Sequence, residues 1–141
     1  MPQLVVDASV ALKWFVAETD ASQANRLLQP GNDLLAPAYF FIELANALRT
    51  SCTLQRISGP LASQALADAR SYFARTIDDA LLIGPAFDLA LRIGHPVYDC
   101  LYLAAAQREA AQLITADAKF VAKLSATPFA RDVVLLSDWK G

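Results

Sequence analysis

The chain is short of the residues on which much metal, redox and nucleotide chemistry is built. It has two cysteines, one histidine and five glycines in 141 residues. Cys52 and Cys100 lie inside helical patterns and are not spaced as a metal or redox pair. They read as small apolar residues of a reduced, cytoplasmic protein. A single histidine excludes the imidazole-rich ligand sets common in zinc enzymes. That residue, His95, sits in a Gly94-His95-Pro96 turn and reads as a turn residue rather than a ligand. The glycines form no phosphate-cradling loop, and no G-x-S-x-G elbow presents a nucleophilic serine. No apolar run approaches the ~20 residues of a membrane span. Asp7 breaks the only N-terminal apolar segment, so neither a span nor a signal peptide is expected. A basic excess is also missing. The net charge of −2 means that no broad positive surface attracts nucleic acid.

Apolar residues are abundant, at 55% with a mean hydropathy of +0.33. The length suits one domain over residues 1–141 with a sizeable core. The apolar excess predicts a face covered by a second copy or by a partner.

Short apolar runs alternate with helical patterns. Leu4-Val5-Val6 is a continuous, mostly β-branched run, as in a strand buried on both faces of a parallel sheet. Ser9 to Val16 and Ala21 to Leu28 read as helices, and Leu34-Leu35-Ala36 as a second strand. Helices are expected over Ala38 to Thr50 and Leu61 to Ala74, then a third strand at Ala80-Leu81-Leu82-Ile83, led by Asp78 and Asp79. Pro85 to Ile93 and Val97 to Ala111 are helical, Leu113-Ile114-Thr115 is a fourth strand, Asp117 to Leu124 a short helix and Val133 to Leu136 a fifth strand. This order predicts a three-layer α/β/α domain with a central, mainly parallel five-stranded sheet.

Of the 14 acidic residues, four occupy apolar settings. Asp7 ends the first strand, because a carboxylate inside a doubly buried strand carries a large desolvation cost. Glu43 interrupts the apolar helix Tyr39-Phe40-Phe41-Ile42-Glu43-Leu44-Ala45, with Asn46 placed to hold it by a hydrogen bond. Asp99 falls in the first turn of the helix opened by Pro96. Asp117 follows the fourth strand. Each has a plainer reading: Asp7 and Asp117 as helix N-caps, Asp99 as a partner of the helix dipole, Glu43 as a salt bridge to Arg49. Topology discriminates. In a parallel sheet every strand ends on one edge, the following helix begins there, and a helix feeding the next strand runs back from it. All four acids therefore reach one edge, where open α/β sheets bind ligands. Clustered carboxylates repel one another unless a cation lies among them. An oxygen-only site favours Mg²⁺ or Mn²⁺, and such a site suits phosphate-ester hydrolysis. An aspartyl-phosphate phosphatase would carry a second acid at position 9, where Ser9 stands, and a receiver-type phosphoacceptor would need an upstream acidic pair.

With these segments in view, the chain resembles the PIN-domain ribonucleases, and within them the toxins of VapBC-type toxin–antitoxin modules. The resemblance lies in Val5-Val6-Asp7-Ala8-Ser9 with Lys13-Trp14-Phe15, in Glu43-Leu44-Ala45-Asn46-Ala47-Leu48, in His95-Pro96-Val97-Tyr98-Asp99-Cys100-Leu101-Tyr102-Leu103-Ala104, and in Leu113-Ile114-Thr115-Ala116-Asp117-Ala118-Lys119-Phe120. It implies Asp7, Glu43, Asp99 and Asp117 as metal-binding and catalytic residues, with Ser9 and Thr115 in support. It further implies Mg²⁺- or Mn²⁺-dependent cleavage of RNA, a homodimer and a cognate antitoxin. Cys100 departs from the family's usual small alanine, and Leu54 to Asp78 carries no matching motif. Two other classes stay open: a scaffold that binds RNA or protein without catalysis, and a nuclease acting on DNA.

Overall fold

The computed structural model describes residues 2–141. Its middle layer is a sheet of five parallel strands in the order β3-β2-β1-β4-β5. These are β1 (Gln3–Val6), β2 (Asp33–Pro37), β3 (Arg75–Ile77), β4 (Gln112–Thr115) and β5 (Val133–Leu135). β1 is central. Val5 lies opposite Leu35 on one side and Leu113 on the other. Side chains alternate across the sheet, as the two-residue period of a strand requires. Val5, Leu35, Leu113 and Val133 join one core cluster, whereas Leu4, Val6, Leu34 and Ile114 join another on the opposite face.

The two covering layers are unequal. The larger contains α1 (Ala8–Ala11), α3 (Phe40–Thr53), α4 (Gly59–Tyr72), α5 (Asp79–Ile93), α6 (Val97–Arg108) and α7 (Ala118–Leu124). The smaller is built from α2 (Ala21–Arg26) and the C-terminal segment around Leu136 and Trp139. Seven consecutive residues of α6, Cys100 to Ala106, are buried. A helix apolar on all sides has no solvent face to offer, so α6 packs through the middle of the larger layer. It meets β1, β2 and β4 and pairs most extensively with α5. Gly94 ends α5 in a left-handed conformation (φ 64°), which glycine adopts without steric cost and which turns the chain sharply into α6. Among the described residues, no helix is long and apolar enough to cross a membrane.

One expected element is misplaced. Ala80-Leu81-Leu82-Ile83 forms the start of α5, not the third strand. The strand is the preceding Arg75–Ile77, polar and largely exposed at the sheet edge. The Asp78 side chain accepts from the Ala80 N–H and caps the helix. Leu82, Ala86 and Leu89 then recur on the buried side. A short apolar run does not distinguish strand from helix, and the cap decides it here. The first helix is also shorter than Ser9 to Val16: it narrows into a 3₁₀ turn at Leu12–Trp14.

Phe40 has no exposed surface and packs on Phe73 and Phe41, with ring centroids 4.7 and 5.0 Å away. Phe40→Ala is expected to lower the free energy of unfolding by about 3–5 kcal/mol, measured by urea denaturation.

Candidate active site

β1 and β4 are neighbours, yet the chain leaves β1 towards β2 on one side and reaches β4 only after β3. Their shared carboxyl edge is the switch point at which loops diverge and leave a crevice. Asp7 stands in it. Its backbone is extended (φ −90°, ψ 171°), and its side chain caps α1 by accepting from the Val10 N–H at 3.2 Å. Capping is one of its three roles in hydrogen bonding. The Ser9 hydroxyl donates to Oδ1 at 2.6 Å, and the Thr115 hydroxyl donates to Oδ2. Both hydroxyls also accept at 3.1 Å: Ser9 Oγ from the Ala116 N–H, across the switch point, and Thr115 Oγ1 from the Asp117 N–H two residues on in its own segment. The carboxylate thus ties the end of β1 to the end of β4.

Glu43 comes from the first turn of α3, half-buried, and the Tyr102 hydroxyl donates to its Oε1 at 2.7 Å. Asp99 lies in the first turn of α6, and His95 Nε2 sits 2.6 Å from its Oδ2. Asp117 caps α7 by accepting from the Phe120 N–H at 3.1 Å. Asp7, Ser9, Glu43, Asp99 and Asp117 line one pocket of about 230 Å³, floored by Ala8, Leu12 and Ala47. Larger hollows exist, including one of about 580 Å³ beside Lys13, Glu18 and Arg56, but it mixes charges of both signs. Thr115 is buried behind Asp7. Asn46 stands apart from the pocket, exposed on α3, and the bond to Glu43 expected of it is made by Tyr102. Glu43 also forms no salt bridge with Arg49. Tyr102 and His95 are the residues that sequence reasoning missed. Tyr102 reads as one more core aromatic in an apolar helix. The spacing of His95 four residues before Asp99 was the available signal for the other.

The electrostatics follow from burial among like charges. Burial pushes Asp7 up to about 6, against the hydrogen bonds from Ser9, Thr115 and Val10, and the nearby Glu43 charge adds to the rise. Glu43 is also raised, first by burial and then by the charge of Asp99, with the Tyr102 hydroxyl opposing. The Tyr102 hydroxyl is pushed up in turn, by burial and by Glu43. Among the described residues, no three His, Cys, Asp or Glu side chains are drawn tightly enough together to chelate an ion as they stand. Each carboxylate is instead held by its own protein donor, which is how four like charges coexist around one cavity. The donors are all oxygen, so the set fits a hard divalent ion such as Mg²⁺ or Mn²⁺, which would offset both the burial that chiefly raises Asp7 and Glu43 and the like-charge repulsion that adds to it.

Fold and pocket together are those of a three-layer α/β/α domain with a carboxylate-lined cleft at its switch point, and comparison with known proteins gives the family. The family model for the PIN domain matches residues 4–123, and the chain belongs to the PIN-domain family. The motif segments resemble the same family. Ribonuclease VapC3 of Pyrobaculum aerophilum is 30% identical over 126 residues, covering 88% of this chain and 96% of that protein. Among solved structures, PAE2754 from Pyrobaculum aerophilum superposes with a TM-score of 0.69 at 22% identity, covering 96% of this chain and 85% of the other. A toxin–antitoxin complex from Klebsiella pneumoniae superposes with a TM-score of 0.63 at 20% identity, covering 94% and 97%. These two share the three-layer fold.

In the unfolded chain Asp7 ionises near the usual aspartate value of about 4; in the folded, metal-free protein it does so at about 6. The folded state holds the proton more tightly, so stability from this group falls as pH rises through that interval and levels off above it. The expected loss is on the order of 3 kcal/mol. In EDTA, Asp7→Asn is therefore expected to be more stable than the parent at pH 7, with the difference shrinking towards pH 4. Urea unfolding of both proteins at the two pH values measures it.

Proposed function

We propose that this chain is a Mg²⁺- or Mn²⁺-dependent endoribonuclease, the toxin of a type II toxin–antitoxin pair, hydrolysing RNA phosphodiester bonds at the pocket of Asp7, Glu43, Asp99 and Asp117. The observation that carries this reading is the arrival of four carboxylates, from four separate segments, around one pocket at the switch point. A relative 30% identical over most of both chains is a ribonuclease.

Asp7, Glu43, Asp99 and Asp117 would hold the ion. When bound, it would activate water and neutralise charge on the departing oxygen. The chain's own residues prepare for this. Ser9 and Thr115 fix the Asp7 carboxylate, Tyr102 fixes Glu43, His95 holds Asp99, and the Phe120 N–H holds Asp117. Asp99 Oδ1 and Asp117 Oδ2 take no hydrogen bond from other described residues and keep their lone pairs for the pocket. Because the net charge is −2, phosphate attraction falls to this site and to basic side chains close to the motif segments in sequence, such as Lys13, Arg49, Arg92 and Lys119. The assignment of RNA as substrate follows the relative, since no residue here is set to read a 2′-hydroxyl.

Two apolar surfaces suit the partners this reading implies. A groove of about 350 Å³ between Trp14-Phe15 and the start of α4, lined by Ile57, Leu61 and Ala65 and rimmed by Arg56 and Asp68, has the form to receive an antitoxin helix. On α5, Ile83, Phe87 and Leu91 recur every fourth residue and are 61%, 57% and 68% exposed. Such a stripe is costly to leave in water and fits a homodimer contact. The free thiols Cys52 and Cys100 suit a reducing cytoplasm.

Purified protein is expected to cleave single-stranded RNA with Mg²⁺ or Mn²⁺ and to be silent in EDTA. Asp7→Asn and Asp99→Asn should each slow cleavage about 100-fold or more. Cleavage that survives EDTA or both substitutions overturns the metal-site reading. Cleavage of DNA alone overturns the choice of substrate, and binding without cleavage makes the chain a recognition module. Separately, light scattering on a sizing column should give a dimer for the parent and a monomer for the Phe87→Glu, Leu91→Glu double variant.

A further inference from the structure

We propose that His95 is a positioning residue of the carboxylate pocket, holding Asp99 in register with Asp117 through a one-way hydrogen-bond chain that begins at Lys123. This rests on the metal-site reading above and assigns a role to the chain's one histidine.

The imidazole is held on three sides. Its ring lies 4.7 Å from the Phe120 ring. Nε2 is 2.6 Å from Asp99 Oδ2, and Nδ1 is 3.4 Å from Lys123 Nζ, which also donates to Gly94 O at 2.5 Å. Polarity then selects one tautomer. A carboxylate only accepts and an ammonium only donates, so the proton sits on Nε2 and the lone pair on Nδ1 faces Lys123. The chain runs from Lys123 through His95 to Asp99 without a mismatched pair.

Its placement ties two elements together. Phe120 and Lys123 belong to α7, whose cap is Asp117, whereas Asp99 belongs to α6. The side chain of His95 is only 15% exposed, and it bridges the helices that carry two of the pocket's four carboxylates. Asp99 Oδ2 is occupied by the imidazole, and Oδ1 is left for the pocket. Outer partners of this kind set ligand orientation, and their loss commonly costs ~10–100-fold in metal affinity. A histidine serving only the Gly94-His95-Pro96 turn would affect folding and leave metal affinity unchanged.

The test combines two readouts on the full chain. Mn²⁺ affinity is measured by calorimetry for the parent, His95→Ala, His95→Gln and Lys123→Met, alongside thermal midpoints in EDTA. His95→Ala is expected to weaken Mn²⁺ binding about 10-fold or more. His95→Gln, whose amide can donate from near the Nε2 position, should recover most of the loss. Lys123→Met should cost less than His95→Ala. In ¹⁵N-labelled parent protein in EDTA, the single imidazole should show the Nε2–H tautomer. Binding by His95→Ala within about twofold of the parent, equal losses for Ala and Gln, or an Nδ1–H tautomer would each overturn the proposal while leaving the metal centre standing. A parent that binds no Mn²⁺ overturns both.

Discussion

A single buried carboxylate organises this domain. Asp7 lies where the central strand β1 ends, and its oxygens are shared among Ser9, Val10 and Thr115. Those bonds close the gap between β1 and β4 at the point where the chain reverses its direction across the sheet. The same bonds only partly offset the cost of burying charge, since Asp7 is pushed up to about 6. A site held this way is strained electrostatically, and the folded scaffold carries the cost. Stabilities of this size are won by small margins, so the hydrophobic layers on either side of β1 are what make such a carboxylate tolerable.

The other three carboxylates follow the same physical pattern in milder form. Glu43, Asp99 and Asp117 each sit in or at the cap of the first turn of a helix, where unpaired N–H groups and the helix dipole favour negative charge. Each also has a protein donor that helps set its direction. Capping and membership of the pocket are therefore not competing explanations. The helix ends supply the electrostatic tolerance, and the parallel topology brings those ends to one edge. An oxygen-only pocket of this kind suits hard cations and phosphate chemistry, which is why a domain of net charge −2 can belong to a family that includes a ribonuclease.

Much of this was legible before any coordinates. The run Leu4-Val5-Val6 has no polar interruption, so it demands burial on both faces and forces Asp7 to the strand's end. Glu43 in an apolar helix and Asp99 after Pro96 are similarly conspicuous. The third strand was not legible, because Ala80-Leu81-Leu82-Ile83 satisfies a strand pattern and a helix pattern alike, and the true strand Arg75–Ile77 has no apolar run to announce it. Tyr102 was hidden by its neighbours: in a helix buried on every side, nothing local marks the one aromatic whose hydroxyl meets a carboxylate 59 positions away.

By itself, the sequence determined the layer order, the central strand, the segments that reach the sheet's carboxyl edge and the family. These depend on local periodicity and on the handedness of parallel connections, both of which act along the chain. Tertiary structure alone decided which donors hold each carboxylate: Thr115 on Asp7, Tyr102 on Glu43, and His95, backed by Lys123, on Asp99. It also decided that Asn46 points elsewhere and that the apolar residues of α5 remain outside. Such pairings depend on which helix faces which across the core. Those on Asp7 and Glu43 arise from packing between distant segments, which no local pattern encodes, whereas His95 and Asp99 are four residues apart and only the backing by Lys123 was out of local reach.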